Sequence, residues 1–301
     1  MCNDLIEKDQ SLVCSKCNAG FPVVGEIPVL LPSYSVFSIE QVVSARQTYY
    51  ADKAAENPMK KRLRKSLPKL TAFQKKAAFY RQVESLINSL TGPIRGLEIG
   101  AGETPTHIAD LFPSVEWMHS DVDISYGPHI IADVTRLPLM DGSFDIVYAD
   151  QVLEHVIDIN KAAQEIQRIL KVGGFVIVGV PFLYRFHGVP YDFYRVTPCG
   201  IRAIFPETES IHVGRGSGAW CALALQMDSC LIGIFSQRYL RMAVSAASRF
   251  LFAGLKYLDN ISNAGRNVVS CASLVYIGRK GSKRLTPREI MSELRHGFKK
   301  G

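Results

Sequence analysis

Residues Gly96–Asp110 read GLEIGAGETPTHIAD. An apolar run over 94–100 ends in Gly100-x-Gly102, and Thr104-Pro105 offers a helix N-cap followed by proline at the first helical position. This is the strand–turn–helix signature of a nucleotide-binding sheet, in which glycines let the backbone turn sharply and approach a ligand. Two features depart from a dinucleotide site. The third glycine of that fingerprint would fall at position 105, where Pro105 stands, and Glu98 precedes Gly100 by two residues. A carboxylate there repels pyrophosphate and suits a ligand that carries positive charge.

Working outward, VEWMHSD (115–121), HIIAD (129–133), FDIVYAD (144–150) and FVIVGVPF (175–182) read as strands. Between them, INKAAQEIQRIL (159–170) places Ile159, Ala162, Ala163, Ile166, Ile169 and Leu170 on one helical face, with Gly173 as the expected C-cap. Thr197-Pro198 starts a further helix, and 268–280 reads as a late strand returning to the sheet. Strands alternating with helices predict an α/β fold, doubly wound, Rossmann-like and mostly parallel, with helices on both faces. Residues 217–266 form an apolar helical insert before the last strand. Charges interrupt it before any run reaches about 20 residues, so a spanning helix is not expected.

Charge is unevenly spread. Lys60–Arg81 carries nine basic residues and no acid, and 279–301 has a net charge of +6. Residues 91–216 hold nine basic and sixteen acidic residues, a net of −7. An acidic core argues against a nucleic-acid cleft, and basic flanks permit contact with an anionic membrane surface. The seven cysteines show no disulfide framework, and the polar start MCNDLIEKDQ has no leader pattern. A cytoplasmic location, peripheral at the inner face of a membrane, is the expectation.

The strand ends define the site. Asp121 and Asp123 end the second strand, where a carboxylate can accept from ribose hydroxyls. Asp133 ends the third, within reach of an adenine amino group, and Asp150 ends the fourth. This acidic rim fits S-adenosylmethionine, which has a sulfonium and an ammonium against one carboxylate. The stretches GLEIGAG, SDVDISYG, ADVTRLPLMDGSFDIVYADQVLEHV and RILKVGGFVIVGVPF resemble, in order, the successive motifs of class I S-adenosylmethionine-dependent methyltransferases. The resemblance covers about 94–205 and implies a seven-stranded sheet. It implies Glu98, Gly100, Ala101 and Gly102 at the methionine moiety, Asp121 at the ribose with Asp123 as rival, and Asp133 and Val134 at the adenine. Asp150 and Gln151 would lie beneath the sulfonium.

FLYRFHGVPYDFYRVTPCGIRAIF (182–205) is similar to bacterial methyltransferases encoded with cell-surface polysaccharide genes, which implies a small-molecule, glycan or lipid-linked acceptor. Methyl transfer to a hydroxyl benefits from a base, and His155, His187, Asp192 and Tyr194 are the candidates. Arg195 could hold an anionic acceptor. His119 and His212 read as strand residues without chemistry. LVCSKCNAGFPVVGEIPVLLP resembles half of a zinc-ribbon-like domain. With Cys14 and Cys17 paired and only Cys2 upstream, the ligand set is incomplete, and neither zinc nor another metal site is expected. The expected organisation is 1–33 truncated β element, 34–90 basic helical extension, 91–216 core, 217–266 insert, 267–280 final strand and 281–301 basic tail. Two other readings stand beside the enzyme: a decayed fold serving as a membrane-associated scaffold, and an RNA methyltransferase. Oligomeric state is left open.

Overall fold

The computed structural model describes residues 5–8, 11–15, 18–32, 35, 37–43, 62, 66–73, 76–102, 107–188, 191–261 and 268–297. Four short strands come first: β1 Leu5–Lys8, β2 Ser11–Cys14, β3 Gly20–Val24 and β4 Ile27–Leu30. Helices α1 Ile39–Val43 and α2 Lys76–Ile87 follow, then β5 Ile94–Ile99, α3 His107–Leu111, β6 Val115–Asp121, β7 Ile130–Ala132 and β8 Phe144–Asp150. The remainder is α4 Ile159–Ile169, β9 Leu170–Pro181, α5 Pro198–Ile204, β10 Thr208–Arg215, α6 Ala219–Gly233, α7 Arg238–Phe252, β11 Ser273–Lys280 and α8 Pro287–Gly297.

Seven strands run in the order β7-β6-β5-β8-β9-β11-β10, parallel from β7 to β9 and antiparallel at β9-β11-β10. Strand alternation sends side chains to two cores. Leu97, Val147, Ala149, Val176, Val178, Leu274 and Tyr276 meet Ala162, Ala163 and Ile166 of α4 and Ile201 of α5. Their neighbours Ile146, Ile177, Val275 and Ile277 meet Phe79, Val83 and Ile87 of α2 and Ile108 of α3. Helices on both faces of a mostly parallel sheet give the expected α/β class.

The sheet is larger than the expected seven strands: it has eleven, ordered β1-β2-β3-β4-β7-β6-β5-β8-β9-β11-β10. The N-terminal meander joins because β4 pairs in parallel with β7, Val29 opposite Ile131 and Leu30 opposite Ala132. Val29, Leu31, Val42 and Ile131 form a small core there, which covers an apolar edge that would otherwise be open to association. A second difference lies at the end of α4. Leu170, not Gly173, is its C-cap, because Leu170 already pairs with Phe144 and begins β9. Thr197 does cap α5, its hydroxyl accepting from Gly200 N at 2.9 Å. Thr104 and Pro105, most of the 60–65 basic run, and Cys2 and Cys17 lie outside the described residues. Cys14 is buried at the end of β2.

The insert folds as α6 and α7, continued by a 3-10 segment at Ala253–Asn260. Cys221, Ala222, Ala224 and Leu225 pack with Phe252, Ala253 and Leu70. No helix among the described residues is long and apolar enough to cross a membrane.

Val29→Asp should release the meander at a cost of roughly 3 kcal/mol, because it buries a charge without a partner. Amide exchange should then show β2–β4 losing protection while β5 and β8 keep theirs. Equal loss throughout the sheet would mean the meander is inseparable from the core.

Candidate functional site

The parallel strands end along one edge of the sheet, on either side of β5, where the chain direction of the connections reverses. Two turns leave that edge together. Gly100 follows β5 with φ 72°, and Gln151 follows β8 with φ 56°. Gly100 N donates to Ser120 O at 2.8 Å and Gln151 N to Gly179 O at 2.9 Å. A Cβ on Gly100 would stand 2.4 Å from Val152 Cγ2, so both its conformation and its contact demand glycine. Gln151 has no such freedom, and its left-handed backbone is strain held at the mouth of a site.

Between the turns and the tips of β6 and β7 lies a cavity of about 450 Å³, within the usual range for small-molecule sites. Of the ten residues expected at a cofactor, Gly100, Asp121, Asp133, Val134, Asp150 and Gln151 line it. Among the described wall residues, Lys161 is the one cation and faces four carboxylates: Asp121, Asp133, Asp150 and Asp158. Among the described residues, no cluster of basic groups lines it.

These carboxylates are not equally available. Asp121 Oδ2 accepts from Gly102 N at 2.8 Å, and Oδ1 accepts from Val122 N at 2.7 Å and Asp123 N at 2.9 Å. It ties the glycine turn to β6, and burial raises its pKa. Asp133 Oδ1 accepts from Thr135 N and Oγ1, and Oδ2 from Ser35 Oγ at 2.8 Å. A carboxylate has about four acceptor sites, so both retain capacity for a ligand. Asp150 is exposed to the cavity, yet the walls strip it of hydration and Glu154 lies nearby, which together push it up to about 6. Its side chain lies across Gly179 of β9, where an added Cβ would stand 1.9 Å from Oδ1.

The other four expected residues lie off the cavity wall. Glu98 was expected to face the cofactor's positive charge, but it is buried against His119, with Oε2 2.7 Å from Nδ1. The reason is strand pairing: Glu98 stands opposite His119 on β6, whose ring in turn stacks on His129 with centroids 5.0 Å apart. His119 is therefore the strand partner of a buried acid. Ala101 is buried, and Gly102 serves through its N–H. Asp123 is 2% exposed and caps the short 3-10 turn Ile124–Tyr126, accepting from Ser125 N at 2.9 Å.

On the acceptor side, His155 lines the cavity, while His187, Asp192 and Tyr194 do not. Tyr194 donates its hydroxyl to Ile157 O at 2.6 Å. Asp192 is held by Arg195, whose Nη1 donates to Oδ1 at 2.5 Å and Nη2 to Oδ2 at 2.7 Å, and it accepts from His187 N at 2.6 Å. The expected anion-holding Arg195 is thus spent inside the protein: its remaining donors go to Tyr184 O, Tyr194 O and Arg185 O. Sequence reasoning missed Phe37, which lines the cavity and meets Tyr191 edge-on at 5.6 Å. It lies in the N-terminal extension, and nothing in the local pattern marks it. Val122, Thr135 and Phe193 were also missed, though their places beside Asp121, Asp133 and His155 follow from strand ends and a returning loop.

Residues 114–178 match the sequence profile of the family described as Methyltransferase domain. An uncharacterized 37.1 kDa protein in transposon TN4556 of Streptomyces fradiae is 43% identical over 51 residues, 17% of this chain and 15% of that protein. A sterol 4-C-methyltransferase of Caenorhabditis elegans is 41% identical over 49 residues, 16% of this chain and 15% of that protein. The chain thus spans about 15% of the length of these curated relatives. Among solved structures, phosphoethanolamine N-methyltransferase 2 of Haemonchus contortus in complex with S-adenosyl-L-methionine has a TM-score of 0.43 at 15% identity, covering 67% of this chain and 53% of that one. The YcgJ protein of Bacillus subtilis has a TM-score of 0.41 at 16% identity, covering 68% and 100%. The profile match runs from the residue before β6 to within β9, so the strands whose ends carry Asp121, Asp133 and Asp150 lie in a segment similar to a methyltransferase domain.

Proposed function

We propose that the protein is an S-adenosylmethionine-dependent methyltransferase that methylates an oxygen, or less favourably a nitrogen, of a saccharide-like or lipid-linked acceptor. The observation that carries the reading is the charge of the cavity: Asp121, Asp133, Asp150 and Asp158 against Lys161, on mostly apolar walls. Such a wall favours a cationic, phosphate-free ligand. Asp121 and Asp133 have acceptor sites to spare for the ribose and adenine, Val134 offers its backbone at the adenine, and Asp150 with Gln151 lies toward the sulfonium. The cofactor supplies a methyl carbon already activated by positive sulfur.

The chain's task is then alignment, worth up to roughly 7–11 kcal/mol for well-oriented reactants. An acceptor oxygen enters on the side of His155, Tyr191 and Phe193. Bound S-adenosylmethionine would supply the methyl group there, and these side chains would hold the acceptor oxygen in line with it. Asp192 and Arg195 act as positioning residues that hold the 184–195 loop.

Asp150 gives this reading a pH signature. Its carboxyl is pushed up to about 6, so acidification below that value removes a negative charge from the cavity. Binding a sulfonium favours the ionised form, and S-adenosylmethionine affinity should therefore rise from pH 5 to 7.5 and level off. S-adenosylhomocysteine, neutral at sulfur, should change less. Asp150→Asn should flatten the first curve and weaken S-adenosylmethionine about tenfold at pH 7.5, or about 1.4 kcal/mol. Calorimetry with both ligands tests this, and parallel curves for the two would count against the assignment.

A second reading, of location, rests on α6 and α7. Ile234, Tyr239, Leu240, Met242, Phe250 and Leu251 are exposed there beside exposed Arg238 and Arg241. Apolar side chains among cations suit the surface of an anionic bilayer, where a lipid-linked acceptor would be found. The protein should cosediment with anionic vesicles and not with neutral ones. Phe250→Glu with Leu251→Glu should abolish the association without lowering the melting temperature. Equal pelleting of that variant would exclude this face.

A further inference from the structure

Behind the cavity wall, three side chains converge that the cofactor reading does not use. Glu154, on the 3-10 turn Leu153–His155 after β8, is fully buried, and neither of its carboxylate oxygens has a hydrogen-bond partner among the described residues. An uncompensated buried carboxylate is strongly unfavourable. Two imidazoles face it. Oε1 stands 3.6 Å from His187 Nε2 and 3.8 Å from His155 Nε2. Both separations are too long for hydrogen bonds. They are close to what two ligands of one ion require, since atoms about 2.0–2.1 Å from a tetrahedral centre lie about 3.3 Å apart. One ligand atom from each of the three residues falls within 4.8 Å of the others.

The far side of each ring is also held. His155 Nδ1 is bonded to Tyr191 O, and a carbonyl only accepts, so Nδ1 carries the proton. His187 Nδ1 lies 3.3 Å from Asp192 Oδ2. Arg195 Nη2, which donates to Arg185 O at 2.9 Å and Asp192 Oδ2 at 2.7 Å, lies 3.4 Å from the same nitrogen. His187 Nδ1 thus lies between a carboxylate and a guanidinium. The Nε2 of each ring stands toward a carboxylate that has no hydrogen-bond donor among the described residues. Metal-binding histidines are often held as His155 is, with the far N–H given to a backbone carbonyl or a carboxylate.

We propose that Glu154, His155 and His187 bind a divalent first-row transition ion such as zinc. One carboxylate and two imidazoles suit such an ion and leave a further coordination position open. His155 belongs to both the ion site and the cavity wall, so the ion borders the space assigned to the acceptor. The assignment replaces the sequence-based expectation of no metal site. It stands on side-chain geometry and does not depend on the methyl-transfer reading.

The full-length protein, stripped with chelator, is titrated with Zn²⁺ by calorimetry and with Co²⁺ by visible absorption. We expect one tight equivalent, with Co²⁺ bands of nitrogen and oxygen coordination and no thiolate charge transfer, which separates this site from the seven cysteines. Glu154→Gln and His187→Ala should each weaken Zn²⁺ by at least about 10–100-fold. S-adenosylhomocysteine binding should be unchanged in both. His187 is partly exposed, so its variant tests the site even where Glu154→Gln fails to fold. Absence of uptake by the wild-type protein, or uptake that neither variant weakens, overturns the proposal. Zinc binding without S-adenosylhomocysteine binding in the wild-type protein would instead overturn the cofactor reading and leave the ion site standing.

Discussion

Parallel pairing of β5 with β8 is the constraint from which the site follows. Ile99 stands opposite Ala149, so Gly100, one residue on, and Gln151, two residues on, leave the sheet at nearly the same height. Both take left-handed backbone, and Val152 fills the space where a Gly100 side chain would be. A crevice opens because the two turns diverge to opposite sides of the sheet. Any side chain at Gly100 would force β5 and β8 apart at their tips.

The acidic rim is partly scaffolding. Asp121 and Asp133 spend several acceptor sites on backbone and hydroxyl donors, Asp123 caps a turn, and Glu98 is paired with His119. This internal use organises the turns at each strand end before any ligand arrives. Asp150 differs: it lies over a glycine, opens onto the cavity and sits near the buried Glu154. Negative potential is therefore concentrated at the floor of the crevice, where a sulfonium would be favoured over a phosphate.

The acceptor side is held by a chain of ion pairs. Arg195 commits all five of its N–H groups, to Asp192 and to three backbone carbonyls. Arg185, whose carbonyl accepts from Arg195, donates from Nη1 to buried Asp228 of α6 at 2.6 Å, and Ser248 of α7 bonds to the same carboxylate. The insert is thus coupled to the loop that bears His187. A cation bound at Glu154 would complete this arrangement by compensating its one unpaired acid.

Much of the fold was legible from local pattern. The alternation of Ile146 and Val147, or of Val176 and Ile177, signals a strand covered on both faces, and Thr197-Pro198 marks a helix start through groups a few residues apart. Gly100-x-Gly102 and the acids at 121, 133 and 150 were readable because strand ends in such sheets converge on one edge. What the sequence left open depended on partners distant in the chain. Nothing near Val29 states that it will lie beside Ile131, and Phe37 reaches the cavity only through that pairing. Whether Glu98 faces a ligand or His119 was decided by the register of β5 on β6. The meeting of Glu154, His155 and His187 was decided by a loop returning about thirty residues later. Periodicity and turn chemistry act between near neighbours and so are written in the chain, whereas the direction of a buried charge is set by whichever remote group the packing brings to it.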